Sequence, residues 1–242
     1  MAASVWRADR KTLFYVFMGI TAAVAAVAGF STTYLLPVAG AQFDGPWIAH
    51  VHGLLFFAWV GLAVVQPLLV RRGGSRMHRR VGYAALPLAL AMAASGVGVG
   101  IYAVSRDLDA GLGDFAYSSL PGVLFAMTIF LGLVAAAVVL RKKPDWHKRL
   151  MLLATIAVLW PAWFRFRHFM PWVPQPEILL AVVLADSLIA VAMLRDKLKF
   201  GQVHPAYWLF GVGLIAEHMA EAMLFDSLAW RSFAQAAYSV LT

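Results

Sequence analysis

The charge-free apolar runs of this 242-residue chain leave it very few ways to fold. No Asp, Glu, Lys or Arg interrupts Thr12 to Phe43, Trp47 to Val70, Val81 to Val104 or Leu120 to Leu140. Each run reaches or exceeds the roughly 20 residues that a helix needs to cross a bilayer core about 30 Å thick. Within lipid, every backbone donor and acceptor must be satisfied by the protein itself, which selects helices for runs of this kind. Composition excludes a water-soluble alternative. Apolar residues make up 62% and charged residues 13%, where soluble domains carry about 45–50% and about 25%. Mean hydropathy is +0.76. The expectation is an integral membrane protein, an all-α polytopic helical bundle forming one domain over residues 1–242.

Seven transmembrane helices can be read from the breaks, near residues 12–38, 47–70, 81–104, 120–140, 150–170, 178–194 and 205–225. The uncharged stretch at Thr12 to Phe43 is longer than the 7–15-residue core of a signal peptide, so the first run reads as a retained span. Connectors alternate in charge. Arg71–Arg80, Arg141–Arg149 and Arg195–Lys199, together with Arg7, Arg10 and Lys11, hold sixteen of the 20 Lys and Arg. Arg106, Arg165, Arg167 and Arg231 fall on the other side. The positive-inside bias therefore puts the N-terminus in the cytoplasm and the C-terminus outside. Basic residues placed as topology signals between spans also argue against nucleic-acid binding. Residues Asp226–Thr242 mix apolar and polar positions at helical spacing, as a segment lying along the outer interface or against a partner would.

Histidines stand at or near the cytoplasmic start of three outgoing helices, at His78, His147 and His204. This is compatible with a duplicated hairpin or with positive-inside selection acting alike on every turn. The third span is rich in small residues, and Gly96 and Gly100 form a G-x-x-x-G that favours close helix packing in lipid. Pro161 is expected to kink the fifth span. Trp146, Trp172 and Trp208 fall where interfacial aromatics belong.

Ionisable residues inside a bilayer are costly and mark functional sites. His50 and His52 lie in span two, Arg165, Arg167 and His168 in span five, Asp186 in span six, and Glu217, His218 and Glu221 in span seven. At about 1.5 Å rise per residue, most of these sit roughly 5–13 Å below the outer surface, in one layer. His168 lies closer to that surface. Glu217 and Glu221, one turn apart, share a face, while His50 and His52 are about 200° apart and cannot both point into one pocket.

Three chemistries compete for this layer. Haem b could be held by His52, His168 or His218, with Arg167 or Arg165 on its propionates, in a membrane oxidoreductase. One or two transition-metal ions could be held by His50 or His52 with His168, His218 and the glutamates, in an enzyme acting on a lipidic substrate, with Glu217, Glu221 and Arg165 as catalytic groups. The same carboxylates and arginines could instead line a path for a proton or small anion. A buried Arg165 pair with Glu217 or Glu221 that merely orders helices is the structural alternative. Asp186 reads as a proton carrier or as a neutral group bonded to a neighbouring Ser or Thr. The bilayer, a quinone or other lipidic substrate, and further membrane subunits are the expected partners. Without cysteine, thiolate ligation, iron–sulfur clusters and thiol catalysis are excluded. No lysine lies within a span, which excludes a retinal Schiff base, and G-x-S-x-G, H-E-x-x-H and Walker patterns do not occur.

The pattern His50-x-His52, Gln66, His78-Arg79-Arg80-x-Gly82 and Trp146-His147-Lys148-Arg149-Leu150-Met151 resembles a group of bacterial multi-span membrane proteins of uncharacterised activity. The His-Arg-Arg-x-Gly element is also loosely similar to b-type-cytochrome-like and ferric-reductase-like membrane proteins. That resemblance covers roughly spans two to five. It implies redox work in a bacterial inner membrane. The chain departs from those reductases in lacking a histidine a few turns after His78-Arg79-Arg80.

Overall fold

The computed structural model describes residues 2–242, with side chains from residue 12 onward; the basic set Arg7, Arg10 and Lys11 lies outside the described side chains. Every regular element among the described residues is helical. Helix α1 (Ala2–Phe30) continues through a π-helical turn, Ser31–Leu35, to Ala39. It is followed by α2 (Trp47–Arg71), α3 (Ser75–Gly82), α4 (Ala85–Asp109) and α5 (Leu120–Val139). Next come α6 (Pro144–Ala157), α7 (Trp160–Phe164), α8 (Ala185–Phe200), α9 (Val212–Leu224) and α10 (Leu228–Leu241). Among the described residues, six helical segments are long and apolar enough to cross a membrane. They are Thr12–Ala39, Trp47–Arg71, Ser75–Asp109, Gly113–Lys142, Pro144–His168 and Pro176–Phe200. A seventh, Tyr207–Leu224, passes the test only together with α10, from which it is bent by 100°.

Close backbone approach organises the bundle. Helix α1 lies along α2, and a Cβ on Gly19 would collide with the Ala63 carbonyl, so only glycine lets the two backbones meet. Pro67, four residues on, leaves the Ala63 carbonyl without its usual helical partner. Helices α4, α5 and α6 follow as neighbours. The fifth span is the most buried of the six, and it is broken where Pro161 predicts. Helix α6 ends at Ala157, a turn occupies Val158 and Leu159, and α7 begins with Pro161 in its first turn.

The third span is longer than its apolar core. Helix α3 is a short basic helix that carries Arg76, His78, Arg79 and Arg80 before the chain turns at Tyr83–Ala84 into α4. The Gln66 amide, with its nitrogen toward His78 and its oxygen toward Gly82, donates to the His78 carbonyl (3.2 Å) and accepts from the Gly82 N–H (3.0 Å). One side chain thus ties α2 to the turn that follows it.

The Trp146–Met151 segment caps the same end of the bundle. His147 Nδ1 meets the Ala137 carbonyl at 2.9 Å, and the His78 and His147 rings stand edge to face with centroids 6.3 Å apart. His204 packs against Trp146 instead, with centroids at 5.0 Å. Arg149 is buried rather than solvated. It donates from Nε to Asp196 at 2.8 Å and pairs through Nη2 at 2.6 Å, with both side chains at most 2% exposed.

Candidate functional site

A cavity of ≈ 690 Å³ opens among α1, α2, α4, α5, the fifth span, the π-helical turn Leu179–Leu184 and α9. Its walls are mostly apolar, with Phe30, Phe56, Phe57, Met92, Met127 and Trp160 among them. Two of the chain's π-helical turns supply residues to it, Thr33 and Tyr34 from one and Ala181 and Val182 from the other. Such turns widen a helix locally and reset which side chains face inward.

Four ionisable residues of the sequence-derived layer line this cavity together: His52, Arg165, His218 and Glu221. Arg167 lines it as well, with Arg106 and Glu177. Arg106 lies in the last turn of α4, the two other arginines follow α7, and Glu177 opens the sixth span. These four therefore mark the mouth of the cavity.

Each of the two histidines is fixed through one nitrogen. His52 Nδ1 lies 3.0 Å from Ser95 Oγ, and the Ser95 hydroxyl donates to the Met92 carbonyl at 3.0 Å. With the hydroxyl proton so used, Ser95 accepts from Nδ1–H, and Nε2 of His52 carries the free lone pair. Gly96 makes room for this ring, because a Cβ there would stand 3.3 Å from His52 Cε1 and 3.1 Å from Met127 Sδ. His218 Nδ1 donates to the Asp186 carboxylate at 3.0 and 3.1 Å, and both groups are buried. Its Nε2 is buried without a partner, and Glu217 Oε2 at 3.8 Å is too distant for a hydrogen bond.

The remaining residues divide. Glu221 sits against the backbone of α5 so closely that a Cβ on Gly122 would overlap its carboxylate. Glu217 turns to a second, smaller cleft, and both of its carboxylate oxygens are buried and unpartnered. Arg165 donates to Thr33 Oγ1 (3.1 Å) and the Pro161 carbonyl (2.9 Å), and its guanidinium lies 4.2 Å from the Phe30 ring centroid. Neither Glu217 nor Glu221 forms an ion pair with it among the described residues, so the helix-ordering pair considered from sequence is not what this arginine makes. Arg167 donates to the Phe164 carbonyl at 3.2 Å and lies over that ring at 3.9 Å.

His50 and His168 stand elsewhere. His50 is exposed, bonded to Tyr34 Oη at 3.1 Å and packed edge-on against Phe43. His168 is exposed beyond α7. Of the His50–His52 pair only His52 reaches the cavity, as their angular separation requires. Among the described residues no group of three or more His, Asp or Glu could hold a metal ion.

Sequence reasoning did not pair Asp186 with His218, and it missed Ser95. The first was within reach. Asp186 lies about 12 Å along the helix from Ile178, and His218 about 10 Å from Phe225, so both occupy one depth measured from the outer ends. The second had no signal, because a serine inside a run of Ala and Gly reads as one more small residue.

No protein-family model matches the chain, and no significant match exists among curated proteins or solved structures.

Proposed function

We propose that this is a membrane redox protein whose main cavity takes haem b between His52 and His218, in a bacterial inner membrane with the basic turns on the cytoplasmic side. One observation carries the reading. Two histidines from different helices line one apolar cavity, each tethered at Nδ1, and the Nε2 of His218 is buried without a partner. Tethering one ring nitrogen to a carboxylate or hydroxyl oxygen fixes tautomer and ring plane, as metal-binding histidines require.

The donor set suits haem better than a bare ion. Haem would ask the protein for few donors, which His52 and His218 would supply, whereas an isolated metal needs three or more side chains. The cavity's volume falls in the range of about 300–1,000 Å³ typical of cofactor sites. Arg165 and Arg167 at the mouth suit propionate carboxylates, and the methionine and aromatic walls suit the ring faces. Bound haem would supply one-electron transfer. Asp186 would make the His218 imidazole a stronger donor, and the apolar walls would exclude water.

The buried Asp186–His218 pair beside Glu221 also supports a second reading, an oriented general base in an enzyme acting on a lipidic substrate. An absorbance spectrum with metal analysis of the purified protein, produced with haem available, separates the two. Haem binding gives a Soret band that is lost in His52→Ala and in His218→Ala and kept in His50→Ala. A protein without chromophore or metal overturns the redox reading.

A further inference from the structure

Between Asp44 and Asp107 the chain has no aspartate or glutamate, yet Arg71, Arg72, Arg76, Arg79 and Arg80 gather there at one turn. That turn lies at the end of the bundle that the charge bias assigns to the cytoplasm. Arg72, Arg76, Arg79 and Arg80 are exposed and form no ion pair among the described residues. Helical bonding persists through Tyr83 and Ala84. The Tyr83 amide donates to the Arg79 carbonyl at 3.2 Å, and the Leu88 amide to the Ala84 carbonyl at 3.0 Å. Side chains three and four apart therefore stay on one face from α3 into α4.

That face is continuous. Arg76, Arg79, Arg80, Tyr83, Leu86 and Leu90 follow at such spacings, and all are exposed. On the opposite face His78 and Val81 are half-buried, and Ala85, Ala89 and Met92 are buried. The exposed face changes once, from guanidinium to aliphatic, at Tyr83, which is 80% exposed. A phenol suits the boundary between headgroups and acyl chains. Gln66 ties α3 to α2 through His78 and Gly82, so the arginines are presented by a fixed backbone.

We infer that this face binds an anionic phospholipid, its phosphate among Arg76, Arg79 and Arg80 and an acyl chain along Tyr83, Leu86 and Leu90. Like charges at three- and four-residue spacing repel one another, and a phosphate between them removes that cost. Guanidinium N–H groups also match phosphate oxygens in pairs. The aliphatic continuation favours a lipid over a soluble phosphate, because the same face passes directly into the hydrocarbon layer. The site is independent of the haem reading.

Full-length protein in neutral detergent, titrated with phosphatidylglycerol and followed by native mass spectrometry, should retain that lipid in preference to phosphatidylcholine. Arg79→Gln and Arg80→Gln should each lower the apparent affinity about fivefold, as expected for one basic residue near an anionic surface. Tyr83→Ala should weaken retention as well. Lys142→Gln with Lys143→Gln, exposed in another basic turn, should change it little. An equal loss in that control means that net charge alone attracts the lipid, and overturns the proposal. So does equal retention of the two lipids. Displacement of phosphatidylglycerol by an equal concentration of inorganic phosphate would mark a free-anion site and overturn it too.

Discussion

Asp186 holds the His218 imidazole by its Nδ1, and the ring's Nε2 is buried without a partner. Asp186→Asn keeps a hydrogen-bonding oxygen but removes the charge, and outer-shell changes of this kind typically cost about 10–100-fold in affinity for the bound group. Haem titrated into the apoprotein should show that loss, with the Soret band weakened rather than abolished as in His218→Ala. Gly122 gives a second residue-level expectation. A methyl group there meets the Glu221 carboxylate, the far end of a flexible side chain that can swing aside, so Gly122→Ala should destabilise by at most about 1 kcal/mol, the low end of the usual cost of overpacking. Adding Glu221→Ala should restore most of the lost thermal stability, because the colliding group is then gone. Both residues show where the sequence stops being readable. Helical geometry dictates that only one of His50 and His52 can face a given pocket, but the rotation of α2 that selects His52 comes from its packing on α1 near Gly19 and Ala63. Nothing local to the two histidines encodes it.

At the scale of elements, the ends of helices behave differently from what their composition suggests. Arg149 belongs to a basic segment that reads as a solvated topology signal, yet it lies five residues inside α6 and pairs with Asp196 of α8. Asp196 also accepts from Arg195 at 2.9 Å. Breaking a buried pair by removing one partner costs about 3–5 kcal/mol. Asp196→Leu should cost more than Arg149→Met, since it leaves Arg195 without its carboxylate and Arg149 with Asp145 alone, whereas Arg149→Met leaves Asp196 its bond from Arg195. Chemical or detergent unfolding of the two variants tests that order. At the other end of the bundle, Asp226 joins α9 to α10. It accepts from Arg231 Nε at 2.7 Å and from the Ser118 hydroxyl at 2.6 Å, and these bonds hold its carboxyl below the usual aspartate range. A depressed folded-state value means that the anchor is fully present above the unfolded value of about 3.9 and is lost as pH falls through the folded one. Protection of the α10 amides, taken relative to their intrinsic exchange rate, should therefore fall in acid below about pH 4, and Asp226→Asn should show the same loss of protection at neutral pH. The kink at Pro161 was legible because proline acts locally. The pairing of Arg149 was not, because its partner lies on a helix that only the assembled bundle brings near.

For the molecule as a whole, the break after Leu224 decides how the chain ends. The segment Tyr207–Leu224 is about 27 Å long at 1.5 Å per residue, close to the thickness of the hydrocarbon core, but it is long and apolar enough to cross only when counted together with α10. Helix α10 is about 21 Å long, too short to return, and it is turned by 100° from α9. It packs over α5 and the 3-10 turn Gly113–Ser119, with Gln235 donating to Asp114 at 3.0 Å, so it lies across the mouth of the bundle at the lipid interface. Counted with α10 as one span, this segment brings the crossings among the described residues to seven, an odd number. It agrees with the charge bias that places Arg71–Arg80 in the cytoplasm and the C-terminus outside. Because the chain contains no cysteine, single cysteines can report each side without background. Ser239→Cys, in exposed α10, should react in intact cells with a thiol reagent that does not cross membranes. Arg72→Cys, in the exposed turn after α2, should react only once the membrane has been opened. Labelling of both positions in intact cells, or of Arg72→Cys alone, would overturn this topology and with it the outer placement of the cavity mouth.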